Sequence, residues 1–254
     1  MLLTIDIGNT NIVIGCFEDE TLLFHERFST NPHATSLEYA TILKETFSLH
    51  HIKASEIQGG ILSSVVPSVT DVVKTAAEKY TGAKILVVGP GLKTGLKLAV
   101  DNPAQLGADL VVGAVAGVHA YPVPQIIIDM GTATTVSVID KNKAFIGKMI
   151  LPGLGISLDA LTSRAAQLPK ISLDLPKKLI ATDTIDSIKS GVLYGNAGAL
   201  DGLIDRINEE MGEPCTVVAT GGLMSTIAPL CRNAMYVEDD LLLKGLLIIY
   251  KKNK

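Results

Sequence analysis

Two aspartates with similar surroundings, Asp6 and Asp129, are the residues of this chain best suited to phosphate chemistry. Each ends an apolar run and is followed, two residues later, by a glycine and a cluster of small polar residues. A glycine lets the backbone bend sharply and approach a ligand, and the N–H groups of such a turn can form a concavity for phosphate oxygens. A carboxylate beside the turn can hold Mg²⁺ directly or through water. The two segments therefore predict two phosphate-facing turns, each between two strands.

The two turns repeat one layout about half a chain length apart. Gly8 is followed by two asparagines and a threonine, and Gly131 by threonines and an alanine, before apolar residues resume in both. Hydroxyl and amide side chains at such a turn add hydrogen-bond donors. A single copy is typical of an ordinary hairpin, but a repeated copy indicates an internal duplication that sets the architecture.

The composition indicates a globular protein without a nucleic-acid or membrane partner. Of 254 residues, 47% are hydrophobic and 19% are charged, and the formal net charge is −4 without a long basic run. Three cysteines without metal-ligand or redox spacing favour a reducing cytoplasm. The start of the chain lacks the basic and apolar regions of a signal peptide. The apolar tract 241–250 is short and contains Lys244, so we expect a buried helix there.

Strands alternate with helices between the two turns, which predicts an α/β fold with parallel strands. The spacing of apolar residues predicts helices over 36–49 and 70–80, and apolar runs predict strands over 59–66 and 84–88. The glycine-rich loop 89–95 follows a strand but does not have the glycine and lysine order of a P-loop. We expect it to be a structured loop on the substrate side.

A helix predicted to begin at Pro103 carries a third aspartate, Asp109. Asn102 is a good N-cap, and proline suits the first helical position. Asp109 would then lie two turns into an apolar helix, either as a surface residue on its polar stripe or as a base directed into a cleft. Gly113 and Gly117 predict a smooth face for another helix, from the same chain or from a second copy.

A third segment, 215–223, predicts a strand that ends at Gly221 and Gly222. Together with the two turns it resembles the actin/Hsp70/sugar-kinase superfamily, in which such a glycine pair seats adenosine. The resemblance implies an α/β fold of two similar RNase H-like halves around a nucleotide cleft. Two prolines in 121–124 break the preceding helix, so we place the halves at residues 1–120 and 121–254.

Over nearly its whole length, the chain resembles the type III pantothenate kinase family. The matching segments keep their order and spacing: 6–10, 89–95, 102–103 with 107–109, 129–135, 151–153, and 183–184 with 190–191. The resemblance implies ATP-dependent phosphorylation of pantothenate, the first step of coenzyme A biosynthesis. It also implies a cytoplasmic homodimer that requires Mg²⁺ and a monovalent cation, K⁺ or NH₄⁺.

The resemblance assigns roles by position. Asp109 would be the general base, Asp129 would bind the monovalent cation, and Thr184 would contact pantothenate, supplied by the partner chain in one arrangement. Asp6, at the mouth of the first turn, is the predicted Mg²⁺ ligand. The predicted ATP contacts are Asp6, Ile7, Gly8, Asn9, Thr10, Asn11, Ile12, Val13 and Thr132. The predicted pantothenate contacts, besides Thr184, are Gly107, Ala108, Asp109 and Leu110.

Four positions in or near these motifs depart from the family pattern. Leu110 stands where the family has an arginine after the base, and Val100 where a tyrosine commonly contacts the substrate. Ser137 replaces an aspartate, and Lys148 replaces the second of two glycines. Loss of a charge-assisted contact weakens anion binding roughly 10–150-fold. Two alternatives therefore stay open: a degenerate nucleotide-binding paralogue with a regulatory role, and a kinase of another small alcohol.

Overall fold

The computed structural model describes residues 1–164, 169 and 171–254. In chain order its strands are β1 (Leu2–Ile7), β2 (Asn11–Glu18), β3 (Thr21–Ser29), β4 (Gly59–Ser64), β5 (Ile85–Val87), β6 (Lys97–Leu98), β7 (Gln125–Met130), β8 (Ala133–Ile139), β9 (Ala144–Pro152), β10 (Thr216–Thr220) and β11 (Tyr236–Val237). Its α-helices are α1 (Ser36–Leu49), α2 (Pro67–Thr81), α3 (Ala108–Ala120), α4 (Leu154–Arg164), α5 (Thr184–Met211), α6 (Met224–Ile227) and α7 (Leu241–Lys252).

The chain forms two compact units. The first unit contains Met1–Leu96, Asp101–His119 and Asp240–Lys254, and the second contains Lys97–Val100 and Ala120–Asp239. These units differ from the predicted halves, 1–120 and 121–254, mainly in two segments. The segment with β6 belongs to the second unit because β6 pairs with β9, and the segment with α7 belongs to the first unit because α7 packs against β1 and β4. The division into halves at residue 120 stays a prediction.

The first unit contains a five-stranded mixed sheet in the order β3-β2-β1-β4-β5. Strands β1, β2 and β3 form an antiparallel meander, and β4 and β5 join β1 in parallel. Helices α1 and α2 cover one face, where Tyr39 and Phe47 pack with Ile5. Because α3 and α7 cover the other face, every residue of β1 is buried.

Helix α7 lies close against α3 within this unit. A Cβ atom on Gly245 of α7 would collide with the backbone of Val112, so glycine is needed for the approach. A Cβ on Gly113 would lie 3.7 Å from Leu242, so the predicted smooth face of α3 meets a helix of the same chain. Along the described parts of the chain, no helix is both long and apolar enough to cross a bilayer.

The second unit repeats the strand plan of the first. Its six-stranded sheet has the order β11-β10-β7-β8-β9-β6, in which β7, β8 and β9 are an antiparallel meander. Strands β10 and β11 then join β7 in parallel, as β4 and β5 join β1. Helices α4, α5 and α6 pack on one face through residues such as Leu158, Leu193 and Met224. The predicted α/β fold and its duplicated meander are confirmed.

Candidate active site

The first turn is a tight reversal between β1 and β2, built around Gly8. The Gly8 N–H donates to the carbonyl oxygen of Asn11 at 2.9 Å, and a Cβ on Gly8 would lie only 3.1 Å from that oxygen. Thr30, after β3, braces the turn: its hydroxyl donates to Gly8 O at 2.6 Å, and its N–H donates to Thr10 O at 2.9 Å. The backbone of the turn is thereby fixed by bonds from the neighbouring strand.

The predicted ATP contacts in this turn divide into exposed and buried side chains. Asn9 and Thr10 are exposed and Val13 is half-buried, whereas Ile7 and Ile12 are 1% and 0% exposed and belong to the core. Any contact of Ile7 or Ile12 with a nucleotide would therefore be made by backbone groups. The assignment of the whole segment to ATP remains a prediction.

Asp6 lies near the carboxyl end of β1 and is 9% exposed. Its partner in register on the parallel strand β4 is Ser63. Registered partners leave a sheet on the same face, and Leu2 and Ile61, which share that face, pack with α3 and α7. The carboxyl ends of parallel strands are where open α/β sheets bind ligands.

Asp109 lies in the first turn of α3, so the prediction that it lies two turns into a helix is wrong. Pro103–Gln105 form a separate 3₁₀ turn, and the Asn102 side chain caps it by accepting a backbone N–H at 3.2 Å. Leu106 is extended, which ends this turn before α3 begins at Ala108. The capping signal was real, but it belongs to the short turn and not to the long helix.

Gly107 lies close to the Asp109 carboxylate and to Val65, which is hydrogen-bonded to the end of β1. A Cβ on Gly107 would collide with that carboxylate and would lie 3.7 Å from Val65, whose N–H donates to Ile7 O at 3.0 Å. Asp109 is half-buried, and its Oδ1 accepts the N–H of Leu110 at 2.8 Å. The structure thus brings the predicted base to the same edge of the first unit as the first phosphate turn.

The four departures from the family pattern occupy different environments. Leu110 is 8% exposed, and a buried position favours an apolar side chain because a charge is costly to bury. Val100 is half-buried, Ser137 is buried and Lys148 is exposed. Ser137 and Lys148 are partners in register on β8 and β9, so these two departures are neighbours in the second sheet.

The second turn places oxygen-bearing side chains around Asp129. Asp129 is half-buried on β7, in register with Thr135 on β8 and with Thr220 on β10. The three side chains share one face of the sheet, so a carboxylate is flanked by a hydroxyl on each side. Such oxygen donors suit hard cations.

Two glycines from nearby strand ends enclose the second turn. A Cβ on Gly153 would collide with Thr132 O and lie 2.6 Å from Gly131 O. Gly221 has a φ of 105°, and a Cβ there would lie 2.5 Å from Met130 O. Side chains are therefore excluded at both positions, and the predicted Gly-Gly segment after β10 packs directly on this turn, whose Thr132 is exposed.

The start of α5 and the neighbouring α4 line a pocket of about 730 Å³ in the second unit. Thr184 is exposed at the first position of α5 and lines this pocket with Ser157, Ser187 and Leu161. Asp183 caps α5, because its side chain accepts the N–H of Asp186 at 2.9 Å. The pocket offers hydroxyl groups and apolar surface to a small polar molecule.

The segment 171–182, whose last two residues line the pocket, is tied to α5. Lys189 Nζ donates to Asp174 at 2.6 Å, and Ser190 Oγ donates to Leu179 O at 2.5 Å. Hydrogen bonds from Lys189 and Ser172 lower the pKa of Asp174 to about 2. Ser190, which belongs to one of the matching motifs, therefore fixes this segment to α5 beside the pocket.

Thiol chemistry and a multi-ligand metal centre do not fit the described residues. Burial raises the pKa of Cys16 and of Cys231 to about 11, so both thiols are protonated near neutral pH. Within the described ranges, no three His, Cys, Asp or Glu side chains come together to hold a metal ion. A cation at Asp6 or Asp129 would complete its coordination with hydroxyl, water or phosphate oxygens.

Sequence reasoning missed the hydroxyl residue in register with each aspartate, Ser63 and Thr220. The segment of Ser63 was predicted as a buried strand without a role in the site, and the segment of Thr220 was given a role only through the glycine pair that follows it. The available signal was that each hydroxyl lies at or next to the end of the parallel strand that follows its meander, at corresponding points of the two copies.

Residues 2–206 match the family described as type III pantothenate kinase. The chain is 42% identical over 254 residues to a type III pantothenate kinase of an Exiguobacterium species, covering 100% of both chains. It is also 42% identical over 253 residues to a type III pantothenate kinase of Bacillus cytotoxicus, covering 100% of this chain and 97% of that one.

Solved structures with low sequence identity share the fold. A crystal structure from Campylobacter jejuni, described as a conserved Baf family transcriptional activator, superposes with a TM-score of 0.61 at 18% identity, covering 99% of this chain and 98% of that one. A ROK hexokinase from Thermus thermophilus superposes with a TM-score of 0.52 at 14% identity, covering 99% and 98%. The sugar-kinase fold predicted above is therefore confirmed, and the chain belongs to the type III pantothenate kinase family.

Proposed function

We propose that the protein transfers the γ-phosphoryl group of ATP to the primary hydroxyl of pantothenate, the first step of coenzyme A biosynthesis. The observation that carries the proposal is at one edge of the first unit: a Cβ on Gly107 would meet both the Asp109 carboxylate and Val65, and the Val65 N–H donates to Ile7 O, next to the first turn. A base and a phosphate turn at one edge are the parts that such a transfer needs. The family relationship supports pantothenate as the acceptor.

The residues of the first unit would perform the transfer by positioning. The N–H groups of the first turn bind phosphate oxygens, with Asp6 as the ligand for Mg²⁺, which supplies charge neutralisation when bound. Asp109 orients the primary hydroxyl of pantothenate and accepts its proton. A carboxylate suffices for this task because the transition state is loose and the proton leaves late.

Asp129 is the proposed ligand of a monovalent cation, K⁺ or NH₄⁺. The flanking hydroxyls of Thr135 and Thr220 support this role, because all three side chains offer oxygen and together carry only one negative charge. A weakly hydrated monovalent ion at this turn would place positive charge beside the Asp129 carboxylate.

We also propose a cytoplasmic homodimer in which Thr184 reaches the site of the partner chain. Exposed apolar side chains near the pocket support a protein cover: Ile180 is 82% exposed, Leu179 58% and Leu161 42%. The three free cysteines suit a reducing compartment. Mixing Asp109→Asn chains with Thr184→Val chains tests the arrangement. If Thr184 acts in trans, one site of each mixed dimer combines Asp109 of one chain with Thr184 of the other and is intact. No recovery of activity on mixing would contradict the trans arrangement.

A kinase of a less charged alcohol is the second candidate, favoured by the buried leucine at position 110. ADP release from ATP, measured with pantothenate and with uncharged alcohols of similar size, separates the two. Release that depends on pantothenate supports the first proposal, and release only with an uncharged alcohol supports the second. Nucleotide binding without release in any mixture would indicate the degenerate paralogue.

A further inference from the structure

Ser63 carries a buried hydroxyl that the fold leaves unused. The residue is 0% exposed, and no group in the described parts of the chain forms a hydrogen bond with its Oγ. Burying a hydroxyl without a partner is unfavourable, whereas an alanine would fill the strand position without that cost. The packing of β4 alone therefore does not explain a serine at this position.

The position of Ser63 connects it with the nucleotide site. It lies in register with Asp6 on the adjacent parallel strand, and both side chains leave the sheet on the face covered by α3 and α7. Val65, two residues further and on the same face, contacts the turn that carries Asp109. Ser63 is thus next to the carboxylate proposed to hold Mg²⁺ and directly behind the edge where phosphate would bind.

The second unit contains the same pairing independently. Thr220 on β10 lies in register with Asp129, at the point that corresponds to Ser63 and Asp6 in the first unit. Thr220 is also buried, at 3% exposure. Two copies of a meander thus each place a buried hydroxyl beside the aspartate that precedes the turn.

We propose that Ser63 is a positioning residue for Asp6. When the Mg²⁺–nucleotide is bound, the Ser63 hydroxyl donates a hydrogen bond to the Asp6 carboxylate and so fixes the oxygen that faces the metal. An outer hydrogen bond of this kind orients a ligating carboxylate and raises metal affinity. The inference rests on the nucleotide site of the proposed function, but not on pantothenate being the acceptor.

The test measures ADP binding by calorimetry to the full chain and to the Ser63→Ala and Ser63→Cys variants, with Mg²⁺ and with EDTA. Cysteine nearly preserves the volume of serine but is a weak donor. An effect shared by both variants therefore comes from the lost hydrogen bond and not from a cavity. We expect the Kd for Mg²⁺–ADP to rise about 10-fold in both variants, the loss of one hydrogen bond to a charged group. In EDTA, the variants should bind ADP as the wild type does.

Thr4→Val is the matched control. Thr4 is on β1, on the same face as Asp6. It is as buried as Ser63, at 0% exposure, but its hydroxyl already donates to Gly15 O at 3.1 Å. We expect this variant to lower the urea midpoint of the ligand-free protein and to leave Mg²⁺–ADP affinity unchanged. Ser63→Ala should leave that midpoint unchanged or raise it, because it removes a hydroxyl without a partner.

Three results would overturn the inference. The first is an unchanged Kd for Mg²⁺–ADP in both Ser63 variants. An unchanged Kd in Ser63→Cys, together with a lower urea midpoint in Ser63→Ala, counts equally, because the alanine effect would then come from a cavity. The second is an equal loss of ADP affinity in EDTA, since Ser63 would then not act through the metal at Asp6. The third is a wild type that binds no Mg²⁺–ADP, which overturns the proposed nucleotide site as well.

Discussion

The two aspartate turns occupy equivalent places in two sheets of the same plan, yet their surroundings differ. In register, Asp6 has Val13 and Ser63 as neighbours, whereas Asp129 has Thr135 and Thr220. Asp6 is buried and Asp129 is half-buried. The first turn is also longer, since Ile7 pairs with Ile12 while Met130 pairs with Thr134.

A fourth difference is the predicted base, Asp109, which belongs to the first unit. Gly107 and α3 bring Asp109 to the edge of the first sheet. The second turn is instead enclosed by the backbone at Gly153 and Gly221. The comparison teaches that two copies of one scaffold carry different side chains at equivalent points, and under the proposed function the first copy would bind phosphate and the second a cation.

The largest effect is expected from Asp109→Asn in the first unit. The amide keeps the size and hydrogen bonding of the side chain but cannot accept a proton, so turnover should fall by ~10²–10⁴. The Kd for ADP should be unchanged, because the turn backbone is intact. Asp101→Asn, at an exposed position just before the 3₁₀ turn, is the control and should keep full turnover. A loss of less than about 10-fold in Asp109→Asn would remove the base from the account.

The next effect is expected from Asp6→Asn, which removes the charge from the first turn. The Kd for Mg²⁺–ADP should rise roughly 10–100-fold, since a charge-assisted contact is lost. Calorimetry with Mg²⁺ and with EDTA checks this, because the difference should disappear without metal. Asp71→Asn on the exposed side of α2 serves as the control. An equal Kd in wild type and Asp6→Asn would contradict the role of the first turn.

A smaller and different effect is expected from Asp129→Asn in the second turn. Turnover of the wild type should require K⁺ or NH₄⁺, and the variant should need about 10-fold more K⁺ for half-maximal activity. Titration of KCl at constant ionic strength with NaCl measures this. Equal turnover of the wild type in Na⁺ alone and in K⁺ would show that no selective cation site is used.

The smallest effect is expected from Thr220→Val, which removes only a hydroxyl beside Asp129. The K⁺ concentration for half-maximal activity should rise about 5-fold, the loss of one neutral contact. Thr216→Val is the matched control, because Thr216 lies on the same strand and face but in register with Gln125. If both variants shift the K⁺ requirement equally, the effect belongs to the strand and not to the cation site.

Local patterns in the sequence predicted the parts of the fold that local chemistry determines. Helix α1 was predicted at its observed ends from the spacing of its apolar residues, and in the structure Thr35 and Glu38 form a capping box at its start. Local reasoning failed at Asn102 and Pro103, whose capping signal fits a 3₁₀ turn as well as a helix. The break at Leu106, which separates this turn from α3, was therefore missed.

The rest depended on contacts between residues far apart in sequence. The placement of α7 on the first unit follows from its packing on β1 and β4, which the order of elements does not reveal. The pairs of Asp6 with Ser63 and of Asp129 with Thr220 need the register of parallel strands separated by helices. The glycine turns themselves were visible because their chemistry lies within a few consecutive residues.

The central claim is that the protein phosphorylates pantothenate, and product analysis tests it most directly. The wild type is incubated with ATP, Mg²⁺, K⁺ and pantothenate, and ADP and phosphorylated pantothenate are quantified by mass spectrometry. We predict equal molar amounts of the two products, and at least about 100-fold less of both with Asp109→Asn in the same time. ADP formed without phosphorylated pantothenate, or ATP bound without either product, would contradict the claim.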